Sequence, residues 1–284
     1  MKIVISADST CDLSKELKEK YNVQIMPLFV SLGEDNRVDG VNIEPDDIYE
    51  YYEKTKKLPK SAARSEMDYY EFFKKFTDEG ASVIHFNLSD SMSVTHGNAV
   101  KASKQLPNVY VVDTMSLSTG MALLIIYAAE LVEKGLSAPE IVEKVTKRVP
   151  YVQASFVVNT LEFLYKGGRC SSVAYLGANV LGIKPSIEVR DGAMGVGKKY
   201  IGRFSRCLKK YVDDIFEKYD NPDKRRCFVT HTKTDPELVN QVIEMVKSRG
   251  IFDEVLETTA GCTITTHCGE STLGVLFIND GGAN

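Results

Sequence analysis

The sequence predicts a two-domain α/β protein. The first domain is a mostly parallel sheet covered by helices, and the second is an antiparallel or mixed sheet with helices. Strand, polar turn and helix alternate from Lys2 to about Pro150, the order that builds a parallel sheet with helices on its faces. Beyond Pro150 strand-like runs crowd together, and Asp191-Gly192 is a hairpin signal. At 284 residues the chain is long enough for two cores, so the expected domains are 1–150 and 151–284.

Taken in order, Lys2 to Ala7 is a short buried strand, followed by a turn rich in Asp, Ser and Thr and a helix capped by Ser14. Val23 to Val30 is apolar and extended. Pro45 begins a helix through Tyr52, and Ser65 begins another to about Phe76. Ser82 to Phe86 is a strand, Met92 to Gln105 a helix and Val109 to Val112 a strand. Ser116 to Lys134 and Ser137 to Val149 follow as helices, the second opened by the capping box Ser137-Ala138-Pro139-Glu140. In the second half Val152 to Val158, Ile183 to Val189, Ala193 to Tyr200, Cys227 to His231, Glu254 to Thr258, Gly261 to Thr266 and Thr272 to Ile278 are strand-like. Helices intervene at Arg203 to Tyr219 and Pro236 to Arg249.

Composition excludes several classes. Apolar residues at 43% and charged residues at 26% describe an ordinary globular protein. The opening MKIVISADST has no apolar leader core. The longest apolar run, Met121 to Ala129, falls far short of the ~20 residues of a membrane span, so a cytoplasmic location is expected. Six cysteines without CxxC spacing suit reduced thiols. The net charge of −4 is unevenly placed: residues 160–210 hold ten Lys/Arg against Glu162, Glu188 and Asp191, which makes this stretch +7 and the remainder −11. Such a stretch suits an anionic ligand or an acidic partner, or is simply a solvated helix and hairpin. Nucleic acid is not expected, because an acidic remainder repels phosphate.

The stretch Thr160 to Arg190 organises the chain. An apolar segment, Leu161 to Tyr165, stops at Gly167-Gly168, and Ser171-Ser172 offers an N-cap for a second segment carrying Val173, Leu176, Val180 and Leu181. Two glycines permit positive φ and close backbone approach, which holds Arg169 where an anion would sit; a glycine cap followed by a solvated arginine is the plainer alternative. Pro185 suits an edge or a strand start. Gly192 to Lys198 nearly spells a phosphate loop, but Lys199 stands where Ser or Thr must hold magnesium, and Asp191-Gly192 belongs to a hairpin tip.

Three other segments carry hydroxyls or a histidine. Asp8-Ser9-Thr10 with Asp12 lies at the carboxyl end of the first strand, where it serves as a cap and turn network or, less favoured, binds a ligand or metal. His85 to His96 places Ser93 and Thr95 between a strand end and a helix start, where free amides and a positive dipole end would meet a carboxylate. Pro59 to Ser65 reads as a plain loop before a capped helix. His267 follows a strand-like run, and a lone histidine is usually structural. Zinc on Cys262, His267 and Cys268 lacks paired spacing, so no metal site is expected.

These motifs, in order over the whole length, resemble the DegV family of bacterial fatty-acid-binding proteins. Leu161-Glu162-Phe163-Leu164 with Lys166-Gly167-Gly168-Arg169 and Ile183-Lys184-Pro185 is similar to its signature. Asp8-Ser9-Thr10-Cys11-Asp12-Leu13 matches its amino-terminal DST-x-DL, and His267 with Gly269 its late H-x-G. Ser89 to Thr95 resembles its S-S-x-L-S-G-T, with Val94 in place of glycine. Pro59 to Ser65 resembles T-S-Q-P-S, with Ser61 for the threonine and Ala62, Ala63 and Arg64 departing. Glu270 and Ser271 replace proline and glycine of H-x-G-P-G. The resemblance implies a DegV-like two-domain fold with a long-chain fatty acid in a buried tunnel between the domains. It further implies that Ser61, Ser93, Thr95 and His267 meet the carboxylate and that Arg169 faces a partner or phosphate. There would be no cofactor, no metal and no catalysis by this chain. A separate ATP-dependent fatty acid kinase subunit would make the acyl phosphate for phospholipid synthesis. The alternative is a serine hydrolase acting on an acyl ester through Ser93 and His267, although no G-x-S-x-G elbow is present.

Overall fold

The apolar run Ile3–Asp8 forms β1, whose neighbours on both sides are parallel strands. The computed structural model describes residues 2–170, 172 and 182–282. After β1 come α1 (Lys15–Lys20), β2 (Gln24–Met26), β3 (Phe29–Leu32), β4 (Asp35–Val38), α2 (Pro45–Thr55), β5 (Lys60–Ala62), α3 (Glu66–Thr77) and β6 (Ser82–Asn87). The first half closes with α4 (Thr95–Ser103), β7 (Val109–Asp113), α5 (Thr119–Glu133) and α6 (Ala138–Arg148). The four-stranded parallel sheet has the order β2-β1-β6-β7, and β4-β3-β5 is a separate antiparallel sheet.

The second half runs β8 (Val152–Gln153), β9 (Ser155–Val158), α7 (Glu162–Gly167), β10 (Ile183–Arg190), β11 (Ala193–Ile201), α8 (Phe204–Lys218), β12 (Arg226–His231), α9 (Pro236–Lys247), β13 (Glu254–Thr259), α10 (Cys262–Cys268) and β14 (Thr272–Ile278). Its sheet is mixed, in the order β11-β10-β9-β14-β12-β13, with β8 beside β14. β12 and β13 alone pair in parallel there. This is the expected α/β class, parallel first and mixed second.

Helix α5 explains how the halves join. It is apolar on nearly every face and buried on nearly every face, as such a helix must be. Its side chains pack with Ile5, Ile84 and Phe86 of the parallel sheet and with Phe228, Leu276 and Ile278 of the mixed one, so one core spans both. Each fully buried Leu or Ile there contributes about 1.5–3 kcal/mol. At the far end Arg148 is buried between Asp223 and Asp280, with Nη2 2.6 Å from Asp223 and Nε 2.6 Å from Asp280.

Several expectations are corrected. Val23 to Val30 is not one strand: Pro27 cannot donate to a ladder, and β2 and β3 on either side of it belong to different sheets. Helices begin later than expected at Thr119 and Thr95, because Ser118 has positive φ and Ser89 to Met92 form a turn. Pro59 to Ser65 contains strand β5. Gly261 to Thr266 is the start of α10, so a threonine-rich run that reads as strand is overridden by tertiary caps described below. Pro185 lies in neither an edge strand nor a strand start; it sits past the end of the β9 ladder, which begins at Ser186. Gly192 to Lys198 lies on the β10–β11 hairpin and forms no strand-to-helix turn. The second helix expected after Ser171 falls on residues 173–181, outside the described residues.

Candidate functional site

A cavity partly open to solvent is lined from both halves of the chain. Ser61 from β5, Ser93 from the turn before α4, Arg169 after α7 and His267 from the last turn of α10 are its polar residues, with Thr263. Leu28, Leu88, Met92, Leu117, Met194 and Ile264 make most of the remaining wall. A second, apolar space shares Leu117, Ile264 and Cys268 with it and reaches Phe156, Gly274 and Leu276 of the mixed sheet. Polar groups in the first space and apolar walls in both suit an amphiphile with an acid head.

The structure therefore brings four of the five expected site residues to one cavity. Thr95 is the exception. It is buried at the start of α4 and does not line the cavity; its Oγ1 lies 2.8 Å from Ser93 Oγ, and its N–H donates to the same oxygen. Val94 stands at the N-cap and makes no cap bond, so the hydroxyl of Ser93 replaces it. His267 Nε2 lies 2.8 Å from Ser61 Oγ, while its buried Nδ1 has no hydrogen-bond partner among the described residues. Burial, and then the positive charge of Arg169, pull its pKa down to about 4, so the imidazole is neutral at pH 7. It does not bring a charge to the site. Ser93 is bonded to Thr95 and His267 to Ser61, so the nucleophile and base of the hydrolase alternative are not paired, and nothing supports that alternative.

The amino-terminal motif holds the site from beneath. Asp8 is buried and accepts from the N–H groups of Leu88 at 2.9 Å and Thr10 at 3.0 Å, fixing the turn that leads to Ser93. Asp12 and Asp39 cap α10. Asp12 Oδ1 accepts from the Gly261 N–H at 2.8 Å and Oδ2 from the Ser118 hydroxyl at 2.5 Å. Asp39 accepts from the N–H groups of Cys262 and Thr263 and from the hydroxyls of Thr263 and Ser9. Side-chain oxygens at a helix start satisfy free amides, which is why the β-branched run folds as helix here. No sequence motif singles out Asp39, whose place after β4 carries no local signal. Among the described residues no group of three or more His, Cys, Asp or Glu could hold a metal ion, and no helix is long and apolar enough to cross a membrane.

Known proteins share this fold. A fatty acid-binding protein of Thermotoga maritima is 31% identical over 96% of each chain. A stearic acid-binding protein of Eubacterium ventriosum superposes with a TM-score of 0.84 at 30% identity over 98% of each chain. A fatty-acid-binding DegV family protein of Thermus thermophilus superposes with a TM-score of 0.88 at 25% identity, covering 98% of this chain and 100% of that one. The family described as "Uncharacterised protein, DegV family" matches residues 2–280, and the chain belongs to the DegV family.

Proposed function

We propose that this protein is a carrier that buries a long-chain fatty acid between domains 1–150 and 151–284 and presents its carboxylate to a separate ATP-dependent kinase for acyl-phosphate formation. The observation that carries this reading is the Ser61–His267 pair on the wall of a cavity that adjoins a second, apolar space. A neutral imidazole carrying its proton on Nε2 donates to Ser61 Oγ and leaves the serine proton for the ligand. Ser93, backed by Thr95, offers a second hydroxyl. The acid is thus met by neutral donors, and Arg169 on the same wall is left to face the partner or the phosphate. Each buried methylene is worth ~0.8 kcal/mol, so a C16 chain gains roughly 10 kcal/mol before the costs of binding. The kinase role draws support from the basic stretch at residues 160–210, which suits an acidic partner. The expected setting is the cytoplasm, upstream of phospholipid synthesis.

The test is direct. The purified protein is denatured and the released small molecules are identified by mass spectrometry. Long-chain fatty acid near one equivalent is expected, and only water and short polar metabolites in repeated preparations would refute the reading.

A further inference from the structure

Gly167 and Gly168 end α7 for different reasons. Gly168 is the C-cap, with φ of +68° and its N–H on the Leu164 carbonyl, and a Cβ there would meet nothing within 4 Å. The left-handed backbone is what requires glycine at that position. Gly167 has no positive φ and is the last helical residue of α7, so its backbone does not require glycine. What excludes a side chain is His267: a Cβ on Gly167 would lie 2.7 Å from its Nδ1 and 3.7 Å from Cγ and Cε1. The approach is reciprocal, since a Cβ on Gly269, one residue past α10, would lie 2.7 Å from Cδ2 of Phe163 on α7. The two helices interlock through two missing side chains.

We propose that Gly167 is a positioning residue for His267. The missing Cβ seats the Nδ1 edge of the imidazole against the α7 backbone, and a rigid ring seated there fixes where Nε2 meets Ser61 on β5. The same residue's carbonyl accepts from Arg169 Nη1 at 2.9 Å, so one peptide orients both the imidazole and the guanidinium. Among the described residues the three atoms nearest the added Cβ all belong to the imidazole. That the seated ring serves a carboxylate rests on the function proposed above.

The test is a cycle of Gly167→Ala, His267→Ala and the double variant, each titrated with palmitate by calorimetry. Ring ¹⁵N signals of His267 are recorded in ligand-free wild type and Gly167→Ala. The single glycine variant should lose about tenfold or more in affinity, the scale of one disturbed hydrogen bond to a charged group, without losing thermal stability. With His267 truncated the clash is gone, so adding Gly167→Ala should change affinity by less than about twofold. A Gly167→Ala chain that misfolds alone but folds with His267→Ala supports the proposal equally. Equal losses in both backgrounds would assign the glycine to α7 itself and overturn the proposal, as would an unaffected single variant. Failure of the wild type to bind palmitate would refute the carrier reading instead. The ring signals then decide the seating alone, displaced signals supporting it and unchanged ones refuting it.

Discussion

His267 Nε2 and Ser61 Oγ meet at 2.8 Å although 206 residues of chain separate them, and the bond ties the last turn of α10 to the strand β5. Neither residue is held by its own neighbours. Ser61 is placed by the β3 ladder opposite Val30, and His267 by a helix whose amides are capped from the other half of the chain.

The first prediction follows from this pair. Ser61→Ala, Ser93→Ala and His267→Ala should each weaken palmitate binding by about 1.5–3 kcal/mol, roughly ten- to a hundredfold, while the far-UV spectrum stays unchanged. Ser61→Ala and His267→Ala act on one hydrogen bond, so the double variant should lose little more than either alone. Displacement of a fluorescent fatty acid measures all four. Wild-type affinity in Ser93→Ala and His267→Ala would place the head group elsewhere.

What the sequence made legible depended on how far each instruction reached. Caps and breaks within one turn were readable: Ser65 caps the helix it was expected to begin, Ser137 forms the capping box its spacing implies, and the helix at Leu161 stops at its glycines. Alternation of strand and helix was enough for the parallel sheet. Instructions that arrive from distant residues were not readable. Thr263, Thr265 and Thr266 favour strand by themselves, and only Asp12 and Asp39, more than 200 residues earlier, make them helical. Ser61 looked like loop because the strand that pairs with it lies across the antiparallel sheet. At the site, the family motif named Ser61, Ser93, Arg169 and His267, but nothing in a linear pattern says that Nδ1 of one residue rests on the Cα of another.

A second prediction concerns acidity. Burial, with Asp39 and Asp8 nearby, pushes the Asp12 carboxyl up to about 8 from an ordinary value of 3.8, against hydrogen bonds from Ser118 and Gly261. Between those values the folded chain holds a proton that the unfolded chain has released. The stability it contributes is complete below pH 3.8 and is lost as pH rises through about 8. Asp12→Asn keeps an acceptor for the Gly261 amide and cannot titrate. Urea unfolding from about pH 5 to about pH 8.5 should therefore show the variant gaining on the wild type as pH rises. Parallel profiles would mean that Asp12 is ionised in the folded chain.

A third prediction tests the buried ion group. Arg148, 4% exposed, lies between Asp223 and Asp280, which are 9% and 5% exposed, with its guanidinium 4.6 Å from the Tyr127 ring centre. Arg148→Met strands carboxylates in the core and should cost about 3–5 kcal/mol in urea unfolding. Adding Asp223→Asn and Asp280→Asn removes the stranded charge and should recover a large part of the loss. A loss below about 1 kcal/mol in the single variant would show that Arg225, which also binds Asp223, suffices.

The last prediction separates two roles for Arg169. The residue lines the cavity, and its Nη1 donates to Gly167, within the only strongly basic stretch of an otherwise acidic chain. If that stretch docks a kinase and the guanidinium meets the phosphorylated head, Arg169→Glu should leave fatty-acid loading largely unchanged and abolish phosphorylation. Reversing a rim charge mainly slows steered association, whereas losing a guanidinium that meets phosphate removes a bidentate, charge-assisted contact. Salt distinguishes the two. Docking predicts a wild-type rate that falls as ionic strength rises and a flatter response in the variant, and a phosphate contact predicts a defect that persists at saturating kinase. Loading is read from the released fatty acid and phosphorylation from consumption of ATP by the reconstituted pair. Normal phosphorylation of the variant at every salt and kinase concentration would leave Arg169 with its Gly167 bond alone, a cap residue facing solvent at the cavity wall.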